Sequence, residues 1–237
     1  MASNDSKLPA KAEQAAVQAF LKKAALTPVQ REKEPKGRLL FALDATASRE
    51  PTWDRACQLQ GEMFQATASL GSLAVQLCYY RGFGECRTTK WFTDPAELVR
   101  QMTSVFCLGG QTQIAKVLRH AITETKRKKI NALVFVGDCM EENIDALCAL
   151  AGRLGLVGVP AFMFHEGGDP AAARAFRHIA RLTKGAYCPF DSKSAKQLRD
   201  LLGAVAIYAV GGNAALEHHS KHSGSDVKLI ASQLKST

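Results

Sequence analysis

Leu39-Leu40-Phe41-Ala42-Leu43-Asp44-Ala45-Thr46-Ala47-Ser48 is an apolar run that ends in a carboxylate followed by hydroxyls at alternate positions. A short, unbroken apolar run of this kind marks a strand buried on both faces, as in a parallel sheet. The oxygens at its end suit a hard cation such as Mg²⁺ or Mn²⁺. One charged ligand with two neutral ones leaves the ion electron-poor and able to take a further anion.

Two other segments complete the set. Gly109-Gly110-Gln111-Thr112-Gln113-Ile114 offers a hydroxyl at a helix entrance, and Leu133-Val134-Phe135-Val136-Gly137-Asp138 repeats the pattern of an apolar strand closed by an aspartate. Asp-x-Thr-x-Ser, a threonine after paired glycines, and a second strand-terminal aspartate together resemble the metal-ion-dependent adhesion site of von Willebrand factor A (VWA) domains. The resemblance covers roughly residues 37 to 212. It implies a doubly wound α/β fold, in which a mostly parallel sheet with one antiparallel edge strand carries helices on both faces. It also implies that Mg²⁺ or Mn²⁺ is held by Asp44, Thr46, Ser48, Thr112 and Asp138, the last acting directly or through water. Thr46 stands where the family often has serine, and the hydroxyl is kept. Arg49 puts a cation beside the site, within reach of Asp138 or Glu141 when metal is absent.

Composition sets the bounds. With 237 residues, 46% of them hydrophobic, the chain holds one good core with extensions. The polar start lacks the apolar stretch of a secretory signal. The longest apolar tract, residues 146 to 164, is broken by Arg153, three glycines and Pro160, so no membrane span is expected. Seven cysteines without a Cys-x-x-Cys pair argue against a disulfide framework or a thiolate zinc site and point to a reducing cytoplasm. A net charge of +9 favours acidic partners. The densest basic run, Lys126 to Lys129, falls where a helix ends, a place the helix dipole makes favourable for cations. It reads as a solvated cap before it reads as a nucleic-acid patch.

Along the chain, three parts are expected: an N-terminal helix and charged linker (1–36), a VWA-like domain (37–212) and a polar, partly mobile tail (213–237). Within the domain, a helix follows Pro51 with Ala56, Leu59, Met63, Phe64, Ala66 and Leu70 on its apolar face. Leu73 to Tyr80 and Cys86 to Phe92 form a hairpin across Arg81-Gly82-Phe83-Gly84. Helices over about 95–106, 111–125, 139–154, 170–183 and 192–210 alternate with strands near 130–138, 159–164 and 186–189. In such a fold ligands bind outside the carboxyl ends of the strands. In the tail, Val227, Ile230 and Leu234 share one helical stripe, which reads as weak helicity before it reads as a docking helix.

Each site residue also has an ordinary reading. Asp44 and Asp138 can be helix caps, and Thr46, Ser48 and Thr112 can be turn formers; five oxygen donors converging on one rim favour metal. Glu166 and Asp169, on the loop after the fifth strand, either orient metal-bound water or sit in a solvated loop. Glu141 and Glu142 read as acidic residues of a helix first turn. Cys139 adjoins the site as an inert thiol, and His218, His219 and His222 lack the preset geometry of a closed transition-metal site. Trp53, Trp91, Tyr79 and Tyr80 read as packing residues.

The functional expectation is a cytoplasmic, non-enzymatic binding module that captures an acidic residue of a partner protein through the metal. One alternative is Mg²⁺-dependent phosphoryl transfer. The phosphatases of that type carry a second aspartate two residues after the first, where this chain has Thr46. The other is an RNA-associated role, which rests on charge alone and has no aromatic signature.

Overall fold

The computed structural model describes residues 35–50, 53–55, 63, 66, 71–191 and 194–235. The expected N-terminal helix and most of the helix after Pro51 lie outside these residues; Trp53 to Arg55, Met63 and Ala66 are helical. Pro35 to Thr237 make one structural unit.

Six strands form one sheet in the order β3-β2-β1-β4-β5-β6. They are β1 (Gly37–Asp44), β2 (Leu73–Arg81), β3 (Glu85–Phe92), β4 (Ala132–Gly137), β5 (Ala161–Glu166) and β6 (Ala186–Phe190). Only β3, at the edge, runs antiparallel to its neighbour. The helices are α1 (Pro95–Thr103), α2 (Ile114–Arg127), α3 (Ile144–Leu156), α4 (Pro170–Leu182), α5 (Ala195–Ser220) and α6 (Ser225–Lys235).

The apolar strands are apolar on both faces because both faces are covered. Leu39, Phe41, Leu43, Val134, Val136, Phe162 and Phe164 pack on one side with Leu201, Leu202 and Val205 of α5. Leu40, Ala42, Leu133, Phe135 and Met163 face the other side, against Val117 and Leu118 of α2, Leu150 of α3 and Phe176 of α4. This period-two division of the strands gives two cores separated by one sheet.

Several boundaries differ from the sequence expectation, among them the start of α3, at Ile144 rather than near residue 139. Helix α1 stops at Thr103, and α2 starts at Ile114 rather than Gln111, so residues 104–113 form a loop. The last long helix does not end at Val210. Gly212 takes φ +67°, a left-handed conformation open to glycine, and the chain kinks there and continues helical to Ser220. The tail helix α6 then buries Val227 and Ile230 completely, with Leu234 packed at the margin. The docking reading of that stripe is therefore the one the structure shows, because the apolar face of α6 has a core to join.

At the other end of α2, the Lys128 and Lys129 carbonyls accept hydrogen bonds from Arg38. Arg38 also pairs with Glu124 at 2.9 Å and lies 3.8 Å over the ring of Trp91. The basic run here is a helix end, as its sequence suggested.

Candidate metal centre

The strand order places the site. From β1 the chain proceeds outward through β2 to β3, then returns to β1's other side as β4. The crevice between β1 and β4 is thus a topological switch point, where doubly wound sheets bind ligands. Leu43 lies opposite Val136 in the register, so Asp44 and Asp138 emerge at the same rim.

Pairing on the other side of β1 sets Asp44 opposite Tyr80. The Tyr80 hydroxyl donates to Asp44 Oδ2 at 3.1 Å, and the Thr46 amide donates to Oδ1 at 2.8 Å. The second bond makes an Asx turn, which directs the chain away from the strand. It carries Thr46 Oγ1 to 3.2 Å from Ser48 Oγ, with Ala47–Arg49 in a 3₁₀ turn. Asp44 is only 1% exposed. Burial raises its pKa above the ordinary carboxylate value, the Thr46 and Tyr80 hydrogen bonds oppose this, and the nearby Asp138 carboxylate adds to it. The Arg49 side chain lies outside the described residues.

The glycine loop is fixed by the turn between β2 and β3. Gly82 has φ +58°, and its carbonyl accepts from the Gln111 amide at 3.1 Å. A Cβ on Gly110 would overlap the Gly82 carbonyl, so only glycine permits this approach. The Leu108 amide bonds the Ala45 carbonyl at 3.0 Å, tying the loop to the end of β1. Thr112, 5% exposed, is held by a reciprocal pair: its amide donates to Glu141 Oε2 and its hydroxyl accepts from the Glu141 amide, both at 3.0 Å.

Glu141 and Glu142 therefore do not serve the first turn of the helix that follows them. Asn143 caps that helix through the Ala146 amide. Glu142 instead accepts from the Ile114 and Ala115 amides at the N-terminus of α2, a charge-assisted cap across the rim. Asp169 is likewise a cap, accepting from the Ala172 amide at the start of α4. Glu166 faces a cavity of ≈ 610 Å³ that Ser48, Asp138 and Asp191 also line.

Tyr80 and His165 are the polar partners that the sequence reading did not assign to the site. His165, 1% exposed at the end of β5, bonds the Asp138 carbonyl through Nε2 at 3.2 Å and the Tyr187 hydroxyl through Nδ1 at 2.9 Å. A carbonyl only accepts, so Nε2 carries the proton and Nδ1 accepts from Tyr187. Burial lowers the pKa of His165 and favours this neutral form. The sequence signal for both was a polar tip at the end of an apolar strand.

The residues present fit a divalent cation. Asp138 Oδ1 is buried and has no hydrogen-bond partner, the one such side-chain atom among the described residues. Such an atom costs about 1–3 kcal/mol, more when charged, unless something satisfies it. Ligand atoms of Asp44, Asp138 and Cys139 all lie within 4.8 Å of one another. Thr46, Ser48 and Thr112 line one cavity of ≈ 170 Å³ together with Cys139 and Glu141. The fold thus brings all five expected donors to one rim. Burial first, and then the Asp138 and Asp44 carboxylates, push the Cys139 thiol up to about 12, so it is no reactive nucleophile. In the tail, the His218 and His222 rings lie 6.3 Å apart without a third ligand-bearing group among the described residues.

The sheet order and its single antiparallel edge are those of a VWA fold. Solved structures agree. The chain is similar to the SpRpn10 VWA domain at 13% identity and TM-score 0.55, over 74% of this chain and 97% of that one. It is similar to an aerotolerance-related membrane protein from Bacteroides fragilis at 16% identity and TM-score 0.54, over 70% and 98%. Proximal thread matrix protein 1 from the mussel byssus, solved with a zinc-occupied MIDAS motif, gives 15% identity and TM-score 0.56, over 73% of this chain and 47% of that one. No protein-family model and no curated protein matches the sequence.

Proposed function

We propose that this chain is a metal-dependent protein-binding module, in which Asp44, Thr46, Ser48, Thr112 and Asp138 hold a divalent cation that an acidic side chain of a partner protein completes. The observation that carries this reading is the buried, unpartnered Asp138 Oδ1 beside the buried Asp44 carboxylate. When bound, the metal supplies a Lewis-acidic position for a carboxylate oxygen. With oxygen donors alone the centre suits Mg²⁺ or Mn²⁺. The protein's own groups prepare it: Tyr80 and the Thr46 amide fix the Asp44 carboxylate, the Glu141 pair fixes Thr112, and His165 fixes the Asp138 backbone.

The role is binding rather than catalysis. Thr46 stands where a phosphoryl-transfer enzyme of this type needs a second carboxylate, and its amide is committed to Asp44. A net charge of +9 speeds encounter with an acidic partner. Residues 37–212 carry the metal centre within the unit formed by Pro35–Thr237. Among the described residues no helix is long and apolar enough to cross a membrane. The chain's cysteine usage fits the cytoplasm.

Titration calorimetry tests the centre. Mg²⁺ or Mn²⁺ binds at one site in the wild type and not in Asp44→Ala. A pull-down with Mg²⁺ or with chelator then identifies partners that both chelator and Asp44→Ala release. Unchanged metal binding in Asp44→Ala refutes the assignment, and Mg²⁺-dependent phosphate release that Asp44→Asn abolishes restores the enzyme reading.

A further inference from the structure

Cys139 enters the functional reading above only as an inert neighbour, yet it occupies a distinctive position. Its sulfur and a carboxylate oxygen from each of Asp44 and Asp138 lie within 4.8 Å of one another, and among the described residues no other set of three acidic, histidine or cysteine side chains gathers this way. Cys139 also lines the cavity that holds the Thr46, Ser48 and Thr112 side chains. None of the five further cysteines among the described residues joins a carboxylate cluster.

Building on the proposed metal centre, we infer that Cys139 Sγ is a donor to it, so that this chain has a mixed oxygen and sulfur site that selects Zn²⁺ or Co²⁺ over Mg²⁺. Zinc lies about 2.3 Å from sulfur and about 2.0–2.2 Å from carboxylate oxygen, so donors in its tetrahedral shell stand about 3.3–3.7 Å apart. The observed atoms, all within 4.8 Å of one another, reach that spacing when the side chains close by about 1.5 Å at most. Within the cluster, Asp138 Oδ1 is buried and without a hydrogen-bond partner, an acceptor that a cation satisfies.

The chemistry of the donors sets the selectivity. Oxygen donors alone favour a hard ion, whereas one sulfur moves the preference toward zinc, since soft ligands favour it and Mg²⁺ gains nothing from them. On binding, the S–H bond breaks, a sulfur–metal bond forms and the proton passes to solvent; no electron is transferred. The site then carries three anionic donors against one dication, with the hydroxyls of Thr46, Ser48 and Thr112 as neutral contributors. With three anionic donors on one dication the centre is net negative, whereas Asp44 and Asp138 alone would leave it neutral, so an acidic partner side chain is drawn less strongly than to an all-oxygen centre.

Cobalt substitution tests this directly. The wild-type chain titrated with Co²⁺ is expected to show a near-ultraviolet sulfur-to-cobalt charge-transfer band that saturates at one ion per chain, that Zn²⁺ discharges, and that a large excess of Mg²⁺ leaves in place. Cys139→Ser and Asp44→Ala both lack the band. By calorimetry Cys139→Ser binds Zn²⁺ at least about tenfold more weakly, because even loss of an outer-shell partner costs that much, while its Mg²⁺ affinity is unchanged. As a check that does not depend on a variant folding, Zn²⁺ protects Cys139 of the wild type from alkylation, read by peptide mass spectrometry. A band that survives in Cys139→Ser, or Zn²⁺ that neither protects the thiol nor loses affinity in that variant, overturns the role of Cys139. If Mg²⁺ still binds in an Asp44-dependent manner, the all-oxygen centre stands without it; if the wild type binds neither metal, both readings fall together.

Discussion

The rim between β1 and β4 and the outer edge of β6 treat their polar groups in opposite ways. At the β6 edge, Gln233 of α6 accepts from the Tyr187 amide and donates to the Tyr187 carbonyl, each at 2.9 Å, so one side chain replaces the missing strand neighbour. The apolar face of α6 covers the same region with Val227 and Ile230. At the rim, the carboxylates of Asp44 and Asp138 converge, and Asp138 Oδ1 is left without any partner. A satisfied edge contributes stability and blocks unwanted strand pairing, whereas an unsatisfied buried carboxylate costs stability and is a place for a ligand. His165 joins the two regions, bonded to the Asp138 carbonyl on one side and the Tyr187 hydroxyl on the other.

Mutations should separate these roles. The largest effect on stability is expected from Ile230→Ala, which empties a fully buried position under α6; denaturant unfolding should show a loss of about 2–5 kcal/mol with metal affinity intact. If metal affinity falls with stability, the edge and the rim are not independent. Gln233→Ala follows, leaving the Tyr187 amide and carbonyl without their partner. A loss of about 1–3 kcal/mol is expected, with faster hydrogen exchange at Tyr187. No change there would mean that water replaces the side chain without cost.

The smallest effect, and the one of opposite sign, is expected from Asp44→Asn in metal-free protein. The folded-state pKa of Asp44 is raised by burial, so its contribution to stability is fully present below the unfolded carboxylate range and is lost as pH rises through the raised folded value. Asparagine keeps the shape without the charge. Thermal melts of metal-free wild type should therefore fall behind Asp44→Asn as pH rises through that window, and added divalent metal should restore the wild type alone. A gap that narrows with rising pH would contradict the account of Asp44 as a strained, ligand-seeking carboxylate.

The sequence carried the fold because its signals were local. Apolar runs such as residues 39–43 and 132–136, separated by helical periods, specify a covered parallel sheet, and strand-end Asp44 and Asp138 mark its functional rim. Thr46 and Ser48 were legible for the same reason, lying two and four residues beyond Asp44. What the sequence could not express was partnership across strands and loops. Tyr80 reaches Asp44 only because β2 pairs with β1 in one register, and His165 reaches Asp138 only because β5 lies beside β4. Glu142 caps a helix that precedes it by nearly thirty residues in the chain, and Glu141 holds Thr112 in the loop before that helix. The tail read as weakly helical because a short isolated helix is marginal, and α6 is an ordered element because the core of the sheet receives its apolar face. By itself the sequence determined most of the described elements and the sheet type, and it named the candidate donors, since periodicity and strand ends are properties of neighbouring residues. Only the tertiary structure decided which polar groups those donors meet and which one is left unsatisfied, because hydrogen bonds and burial across the sheet depend on register and packing that no local pattern encodes.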